Sequence, residues 1–566
     1  MRILSISEMR ALESTADLAG YSYAQMMEQA GKSLAIAVVQ HMPIKGRRIL
    51  VLVGPGNNGG DGLVAARLLH DSGAHVTAYL TSKRDPEEDA VFKKAQACGV
   101  KIVYAQDDPQ CETLRHLVAQ THVILDSLLG IGAKPPLRGV IADVLRNVKA
   151  GLAQIAIDPL TPLNRPPKPT LPRPLIVAVD GPSGLDFDSG TIDPLALKAH
   201  LTVTFAVPKW GQFALPGAEY VGELLVADIG IPEHVEIPSR GTTIATPETI
   251  RKWLPLRSLD AHKGTFGKAL IAAGSVNYTG AALLAASAAV RAGTGLVTLA
   301  IPHMLHPAIV PALPEVVYIL LPHTLGVLDG HAAAPLVEKI GSKSSSGEYK
   351  PAYSAMLIGP GLSHAPETTS FIRRLLGLDA RKRSTGFAPS ESKSEEERPT
   401  LPPLVVDADG LNILSDIPDW HSLLPPETIL TPHPGEMARL TGKMTAEVQA
   451  DRLRIAQTSA AAWGHVVVLK GAFTVIAAPN GEAALLPFAN PGLGSAGTGD
   501  VLAGTIVALR AQGLEAFKAA VAGAYLHGLA GEIVRERLGT AGMAASDVVS
   551  ALPEAIQKIT SGSSNV

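Results

Sequence analysis

The chain has 566 residues, more than one compact domain ordinarily holds. Lys and Arg total 49 against 52 Asp and Glu, so the net charge of −3 gives no electrostatic reason to bind nucleic acid or an anionic membrane. Hydrophobic residues make up 46% of the chain, which excludes wholesale disorder, and only 4% are aromatic, so the cores must be aliphatic.

Two cysteines, Cys98 and Cys111, cannot supply a disulfide framework or a cysteine-rich zinc site. Polar residues interrupt the first fifteen positions, so no signal peptide is expected, and the Ala-rich stretch 281–290 is too short to span a bilayer. A cytoplasmic protein is the expectation.

Met9, Leu12 and Ala16, then Met26, Met27 and Ala30, recur at helical spacing and predict two N-terminal helices. Strand-like runs follow at 48–53, 75–80, 101–104, 123–125, 175–179 and 201–205, with helical patterns between several of them, including 62–71 and 141–150. Such alternation predicts a mostly parallel sheet covered on both faces. The segment 222–232 reads as a last strand and an exit loop.

A second cycle starts at 268–273 and continues with strands at 296–301, 355–358, 404–406, 466–469 and 474–477. Helices are predicted at 281–292, 435–440, 501–512 and 519–534. The expected organisation is two α/β domains, 1–235 and 248–566, joined by a linker at 236–247. Two insertions, proline-dense 158–174 and charged 381–400, read as surface loops.

Four glycine-rich stretches compete for a phosphate role. Gly54-Pro55-Gly56-Asn57-Asn58-Gly59 fits G-x-G-x-x-G directly after a strand. No ribose-binding acid follows Leu80, where Thr81-Ser82-Lys83-Arg84 stands. Two readings therefore stay open: a tight turn, or a nicotinamide-dinucleotide dehydrogenase with Lys83 and Arg84 meeting a 2′-phosphate. Gly492 to Gly497 fits the pattern without a preceding strand, and Gly264 to Lys268 lacks the Walker spacing, so both are set aside.

The fourth stretch, Gly497-Thr498-Gly499-Asp500, opens an apolar helix whose first N–H groups can bind an anion. An aspartate there repels an anion. Asp500 is either a general base for a hydroxyl attacking a phosphoryl group or a helix cap.

Further motifs accompany it. Ser275 lies in GSVNYTGAALLAA, while Gly359-Pro360-Gly361-Leu362, Asp407-Ala408-Asp409-Gly410-Leu411-Asn412 and Thr431-Pro432-His433-Pro434-Gly435-Glu436 each follow a strand. Leu469-Lys470-Gly471 and the run from Gly497 to Gly504 complete the order. This set resembles the ribokinase-like ADP/ATP-dependent NAD(P)H-hydrate dehydratase family from about residue 248 onward, with Gly410 where that family has Ala.

In the first half, Asn57-Asn58-Gly59-Gly60-Asp61-Gly62, Asp126 with Gly130-Ile131-Gly132, and Asp180-Gly181-Pro182-Ser183-Gly184 resemble the NAD(P)H-hydrate epimerase family. Gly181 replaces that family's Val or Ile and is expected to loosen the loop at Asp180. The whole chain is similar to bacterial bifunctional NAD(P)H-hydrate repair enzymes. That resemblance implies an α/β chain, an N-terminal Rossmann-like three-layer domain followed by a ribokinase-like domain.

The resemblance also implies a substrate: NADHX or NADPHX, the nicotinamide cofactor hydrated across C5–C6, with R and S epimers at C6. One domain would epimerise them, and the other would dehydrate the S form at the expense of ADP, giving AMP and phosphate. By resemblance the hydrate is lined in the first domain by Asn57, Asn58, Gly59, Gly60, Asp61, Gly130, Ile131, Gly132, Ala133, Lys134, Pro135, Pro136 and Asp180. Potassium would sit at Asn58, Asp126 and Ser183, with Asp180 as catalytic acid/base.

In the second domain the hydrate would meet Ala281, Gly361, His433 and the catalytic base Asp500. The nucleotide, with magnesium, would meet Lys470, Gly471, Ala472, Phe473, Thr474, Gly497, Thr498 and Gly499. His527, inside an apolar helical pattern, is expected to pack. A homo-oligomer without nucleic-acid or membrane partners is implied. Two other readings stand beside this one: a ribokinase-like kinase with an accessory domain, and an N-terminal domain that only binds.

Overall fold

Runs of Val, Leu and Ile closed by glycine or polar turns form the strands of two separate units, Met1–Arg240 and Gly241–Val566. The computed structural model describes residues 1–132, 134–155, 174–232, 234–236, 241–343, 349–379 and 398–561. The insertion at 158–174 apart from Pro174, positions 381–397 of the second insertion, and Ala133 lie outside the described residues.

The first unit holds β1 (Arg48–Val53), β2 (His75–Leu80), β3 (Lys101–Tyr104), β4 (Val123–Ser127), β5 (Leu175–Val179), β6 (Leu201–Phe205) and β7 (Glu223–Ala227). They form one parallel sheet in the order β3-β2-β1-β4-β5-β6-β7. Every residue of β4, β5 and β6 is buried, because helices cover both faces and leave no polar side.

Alternate residues of β1 serve opposite cores. Ile49, Val51 and Val53 pack toward the helices Tyr23–His41 and Asn57–Asp71, and Leu50 and Leu52 toward Glu112–Gln120 and Gly139–Ala153. The first helix, Ile6–Leu18, and the second each start with a capping box, on Ser5 and Ser22. This is a Rossmann-like three-layer fold. The chain runs outward from β1 to β3, then returns to place β4 on the other side of β1. Loops leaving β1 and β4 therefore diverge and open a crevice at the strands' C-terminal ends.

The second unit contains β8 (Thr242–Ile244), β9 (Lys268–Ala272), β10 (Leu296–Pro302) and β11 (Val317–Leu321). Two hairpins follow, β12 (His323–Thr324) with β13 (Val327–Leu328) and β14 (Gly341–Lys343) with β15 (Tyr349–Pro351). Then come β16 (Ala355–Ile358), β17 (Leu404–Val406), β18 (Ile429–Leu430), β19 (Val466–Leu469), β20 (Val475–Ala477) and β21 (Ala483–Leu485).

Ten of these form a sheet in the order β11-β10-β9-β16-β17-β18-β19-β20-β21-β8. It is parallel from β11 to β19 and carries an antiparallel extension in β20 and β21. The architecture is ribokinase-like. Residues 242–244, expected in a linker, instead pair with β21 as the edge strand.

The Ala-rich stretch lies in the helix Thr279–Arg291, packed against the helix Thr498–Ala511. A Cβ on Gly504 would stand 2.2 Å from the Ala285 carbonyl, so small residues let the two backbones meet. Among the described residues no helix is long and apolar enough to cross a membrane. Cys98 and Cys111 are both free thiols.

Candidate active sites

In the first unit the residues singled out from sequence gather where β1, β4 and β5 end. Gly54 follows β1 and packs on the backbone of Leu128, where a Cβ would come within 1.7 Å of the Leu128 carbonyl oxygen. Glycine is obligatory at that contact. The helix then starts at Asn57, which places Asp61 in its second turn, beyond the reach of a first-turn acid's role. Asn57 is exposed, whereas Asn58 and Asp61 are buried.

Asp126, the last residue but one of β4, is 1% exposed and accepts hydrogen bonds from the Ser183 hydroxyl at 2.6 Å and the Ser183 N–H at 2.9 Å. Burial raises its carboxyl above the usual range, and the Ser183 bonds pull the other way. The Leu129 N–H donates to Ser183 Oγ at 2.9 Å, and Asn58 Oδ1 lies against Gly130. Asn58 Nδ2 is buried without a hydrogen-bond partner among the described residues. Asn58, Asp126 and Ser183, grouped in the sequence by resemblance, thus come together. Beyond Gly130, Ile131 packs on the first helix, and Gly132, Lys134 and Pro136 are exposed.

Asp180 follows β5 with a left-handed φ of 63° and is buried. Its Oδ1 accepts from Lys209 Nζ at 2.6 Å, Thr204 Oγ1 at 2.9 Å and the Phe205 N–H at 3.2 Å. Its main-chain carbonyl accepts from Gln212 Nε2 at 2.7 Å. Gly181 does not loosen this loop. A Cβ there would meet the Phe187 ring at 2.4 Å, and Phe187 is fully buried, so the aromatic ring fills the space a larger residue would occupy.

In the second unit the loops after β9, β16, β17, β18 and β19 converge on the N-terminus of the helix Thr498–Ala511. Ala281 and Gly361 are neighbours: a Cβ on Gly361 would lie 2.7 Å from that of Ala281. The Ser275 hydroxyl donates to the Gly361 carbonyl at 2.8 Å, tying the β9 loop to the β16 loop. His433 caps the helix Pro434–Thr441, its Nδ1 accepting from the N–H groups of Gly435 and Glu436. Burial lowers its imidazole below the usual value, partly opposed by Glu436.

Lys470, expected against the nucleotide, lies deeper. Its Nζ donates to Asp407 Oδ1 at 2.6 Å and stands 3.7 Å from Glu436 Oε2. Burial works against its charge, but Asp407 and Glu436 outweigh it and hold the ammonium above its ordinary value. The rest of 471–474 forms the turn between β19 and β20, where the Gly471 N–H donates to Thr474 Oγ1 at 3.3 Å.

Gly497 takes a left-handed φ of 87° just before the helix. Asp500 sits in the first turn, two positions into the helix, while the N-cap position itself is taken by Gly497. Burial, reinforced by Asp407 and offset in part by Lys470, raises its carboxyl to about 7. His527 is buried, its Nε2 has no hydrogen-bond partner among the described residues, and burial lowers its imidazole to about 4.

A family profile described as NAD(P)H-hydrate dehydratase matches residues 269–554, and one described as YjeF-related protein N-terminus matches 23–211. A bifunctional NAD(P)H-hydrate repair enzyme of Moorella thermoacetica is 36% identical over 545 residues, spanning 94% of this chain and 92% of that one. The chain belongs to the family of bifunctional NAD(P)H-hydrate repair enzymes. A relative of the same name from Thermofilum pendens is 35% identical over 99% of this chain and 97% of its own. A crystal structure of the Bacillus subtilis ADP/ATP-dependent NAD(P)H-hydrate dehydratase, co-crystallised with ATP and Mg2+, is 31% identical. It covers 56% of this chain and 98% of its own, with a TM-score of 0.44.

Four residues that shape the sites of this family member were not assigned from sequence. Lys209 reaches Asp180 across 29 positions, and its signal was a lysine beside a strand end with no solvent-facing pattern. Arg84 donates from Nη2 to the carbonyls of Gly54 at 2.8 Å and Gly56 at 2.9 Å, and from Nη1 to Asp89 at 2.6 Å. That guanidinium clasps the glycine-rich turn from outside, so it is not free for the 2′-phosphate of the dehydrogenase reading. Asp407 and Glu436 stood inside quoted motifs, and only the fold places both on Lys470.

Proposed function

We propose that this chain repairs hydrated nicotinamide cofactors, its first unit interconverting the R and S hydrates and its second dehydrating the S form with ADP. Its membership of the bifunctional family along nearly its whole length supports both halves. The observation that carries the dehydratase mechanism is Asp500, in the first helical turn, its carboxyl without a hydrogen bond among the described residues and raised to about 7, where a general base is most useful.

In this reading Asp500 takes the proton of the C6 hydroxyl. The oxygen attacks the β-phosphoryl of ADP, AMP leaves, and the N–H groups of 497–499 meet the charge developing on the transferred phosphoryl. The C6–O bond then breaks, phosphate departs with its electron pair, and loss of a C5 proton restores the C5–C6 double bond. Ala281, Gly361 and His433 line the hydrate, and 471–474 the nucleotide. Lys470 acts from behind, balancing Asp407 and Glu436.

Two buried carboxylates against one ammonium leave negative charge to spare, and oxygen donors of that kind suit a hard cation. Asp407 and Glu436 would hold magnesium, which neutralises nucleotide phosphates when bound. In the first unit Asp126 is a buried carboxyl bonded, among the described residues, only to neutral donors, beside an amide oxygen from a helix start and a hydroxyl oxygen from another loop. Asn58, Asp126 and Ser183 therefore fit potassium, which would supply the missing positive charge.

Incubation of the S hydrate with ADP and magnesium is expected to give NADH, AMP and phosphate in equal amounts. A stable phosphorylated product would favour the kinase reading instead.

A further inference from the structure

Four ionisable side chains at the crevice of the first unit, half-buried Glu13 and buried Asp61, Asp180 and Lys209, feel one another's charge, and two of the carboxyls have opposite surroundings. Asp180 Oδ1 is held by three donors, one of them the ammonium of Lys209, itself only 1% exposed. An ammonium in direct contact in so dry a place pairs with a carboxylate. Among the described residues Oδ2 of Asp180 has no hydrogen-bond partner, so one oxygen is fixed and the other is available.

Asp61 is 8% exposed, yet among the described residues it has neither a hydrogen-bond donor nor an ion-pair partner on its carboxyl. A buried carboxyl with no cation and no donor keeps its proton, because the charged form loses its hydration and gains nothing. Burial pushes Asp61 well above the usual carboxylate range, the charges of Asp180 and Glu13 push the same way, and Lys209 only partly offsets them. Glu13 is raised too, by burial first and then by Asp180, against Lys209 and Arg10.

We propose that Asp61 is the proton donor and Asp180, fixed by the positioning residue Lys209, the proton acceptor of the epimerisation. This rests on the reading that the first unit inverts the hydrate at C6. That carbon bears the hydroxyl and is bonded to ring N1, so it is a hemiaminal carbon.

Asp61 gives its proton to the hydroxyl oxygen, the C6–O bond breaks, and water leaves with the bonding pair. The N1 lone pair forms an N1–C6 double bond. A water molecule then adds to the opposite face, a new C6–O bond forms, and its proton passes to Asp180 Oδ2 as the electron pair returns to N1. One water leaves and one enters. Proton return from Asp180 to Asp61 resets the site, and the reverse inversion uses the same steps backward.

The full chain is given the R hydrate of NADH in 18O-water without any nucleotide, so that dehydration cannot proceed. Inversion is followed by chromatography and oxygen content by mass spectrometry, with the uncatalysed exchange subtracted. One solvent oxygen is expected per inversion, a wild-type result that depends on no variant folding. Asp61→Asn and Asp180→Asn are each expected to lower kcat for inversion by about 10²-fold or more, the loss typical of an acid–base group. Lys209→Met is expected to lower kcat while leaving KM for the hydrate unchanged, a split that general loosening of the unit would not give.

Inversion with retention of the original oxygen overturns the proposal, as does an Asp61→Asn enzyme with wild-type kcat. A wild-type chain that leaves the R hydrate uninverted overturns the epimerase reading itself, a distinguishable failure.

Discussion

Asp500 carries its charge at a cost. Its carboxyl ordinarily titrates near 3.8 and here is raised to about 7, chiefly by burial. Dehydration of the S hydrate is therefore expected to rise with pH up to about 7 and level off above it, as steady-state kcat/KM would record. Asp500→Asn is expected to cut dehydration by about 10²–10⁴-fold and to leave inversion of the R hydrate untouched. The same substitution is expected to stabilise the fold. A group whose folded pKa exceeds its unfolded one disfavours folding once the unfolded chain can ionise it. The penalty is absent below about 4 and full above about 7. At about 1.4 kcal/mol per pKa unit, reduced by the residue's partial exposure, the gain is at most a few kcal/mol. A melting temperature for Asp500→Asn equal to wild type at pH 8 would contradict the buried-charge explanation.

At the scale of elements, the glycine-rich turn is a fastened device. Arg84 holds the Gly54 and Gly56 carbonyls, and removing it leaves two acceptors without their charged donor. Arg84→Ala is expected to raise KM for epimerisation about tenfold, in line with losing hydrogen bonds to a charged group. Dehydration by the other unit serves as the internal control. Gly181→Val would install the residue type the epimerase family carries, yet here it collides with Phe187. Thermal unfolding should show a loss of about 1–3 kcal/mol from overpacking, relieved by the second substitution Phe187→Leu.

These elements were unevenly legible in the sequence. Strands β16, β17 and β19 are short apolar runs buried on both faces, and such runs declare themselves. The two-residue β18 is too short to carry a period, and the edge strand β8 alternates in a stretch that reads as a linker. Asp500, Asp180 and Asp126 could be found because each sits in or next to a motif at a strand or helix end. Lys209 was not, and Arg84 was read only toward a 2′-phosphate, since their partners lie 29 and about 30 residues away and only the folded sheet brings them together.

At the scale of the whole molecule, two units each carry a carboxylate site, so the two activities should separate cleanly. Asp180→Asn is expected to leave dehydration of the S hydrate at the wild-type rate while the R hydrate accumulates, which chromatography of the two epimers would show. Replacing potassium by tetramethylammonium should slow inversion and spare dehydration, because the proposed potassium site lies in the first unit, where among the described residues the Asp126 carboxyl meets only neutral donors.

The most direct measurement is the return of NADH absorbance from a mixed R and S hydrate preparation, given the full chain with ADP, magnesium and potassium. Bifunctional repair predicts recovery of the whole hydrate pool, with one AMP and one phosphate per NADH. Recovery that stops at the S fraction, beyond what uncatalysed epimerisation supplies, would contradict an epimerase in the first unit. ADP consumption without any return of NADH would contradict the dehydratase in the second.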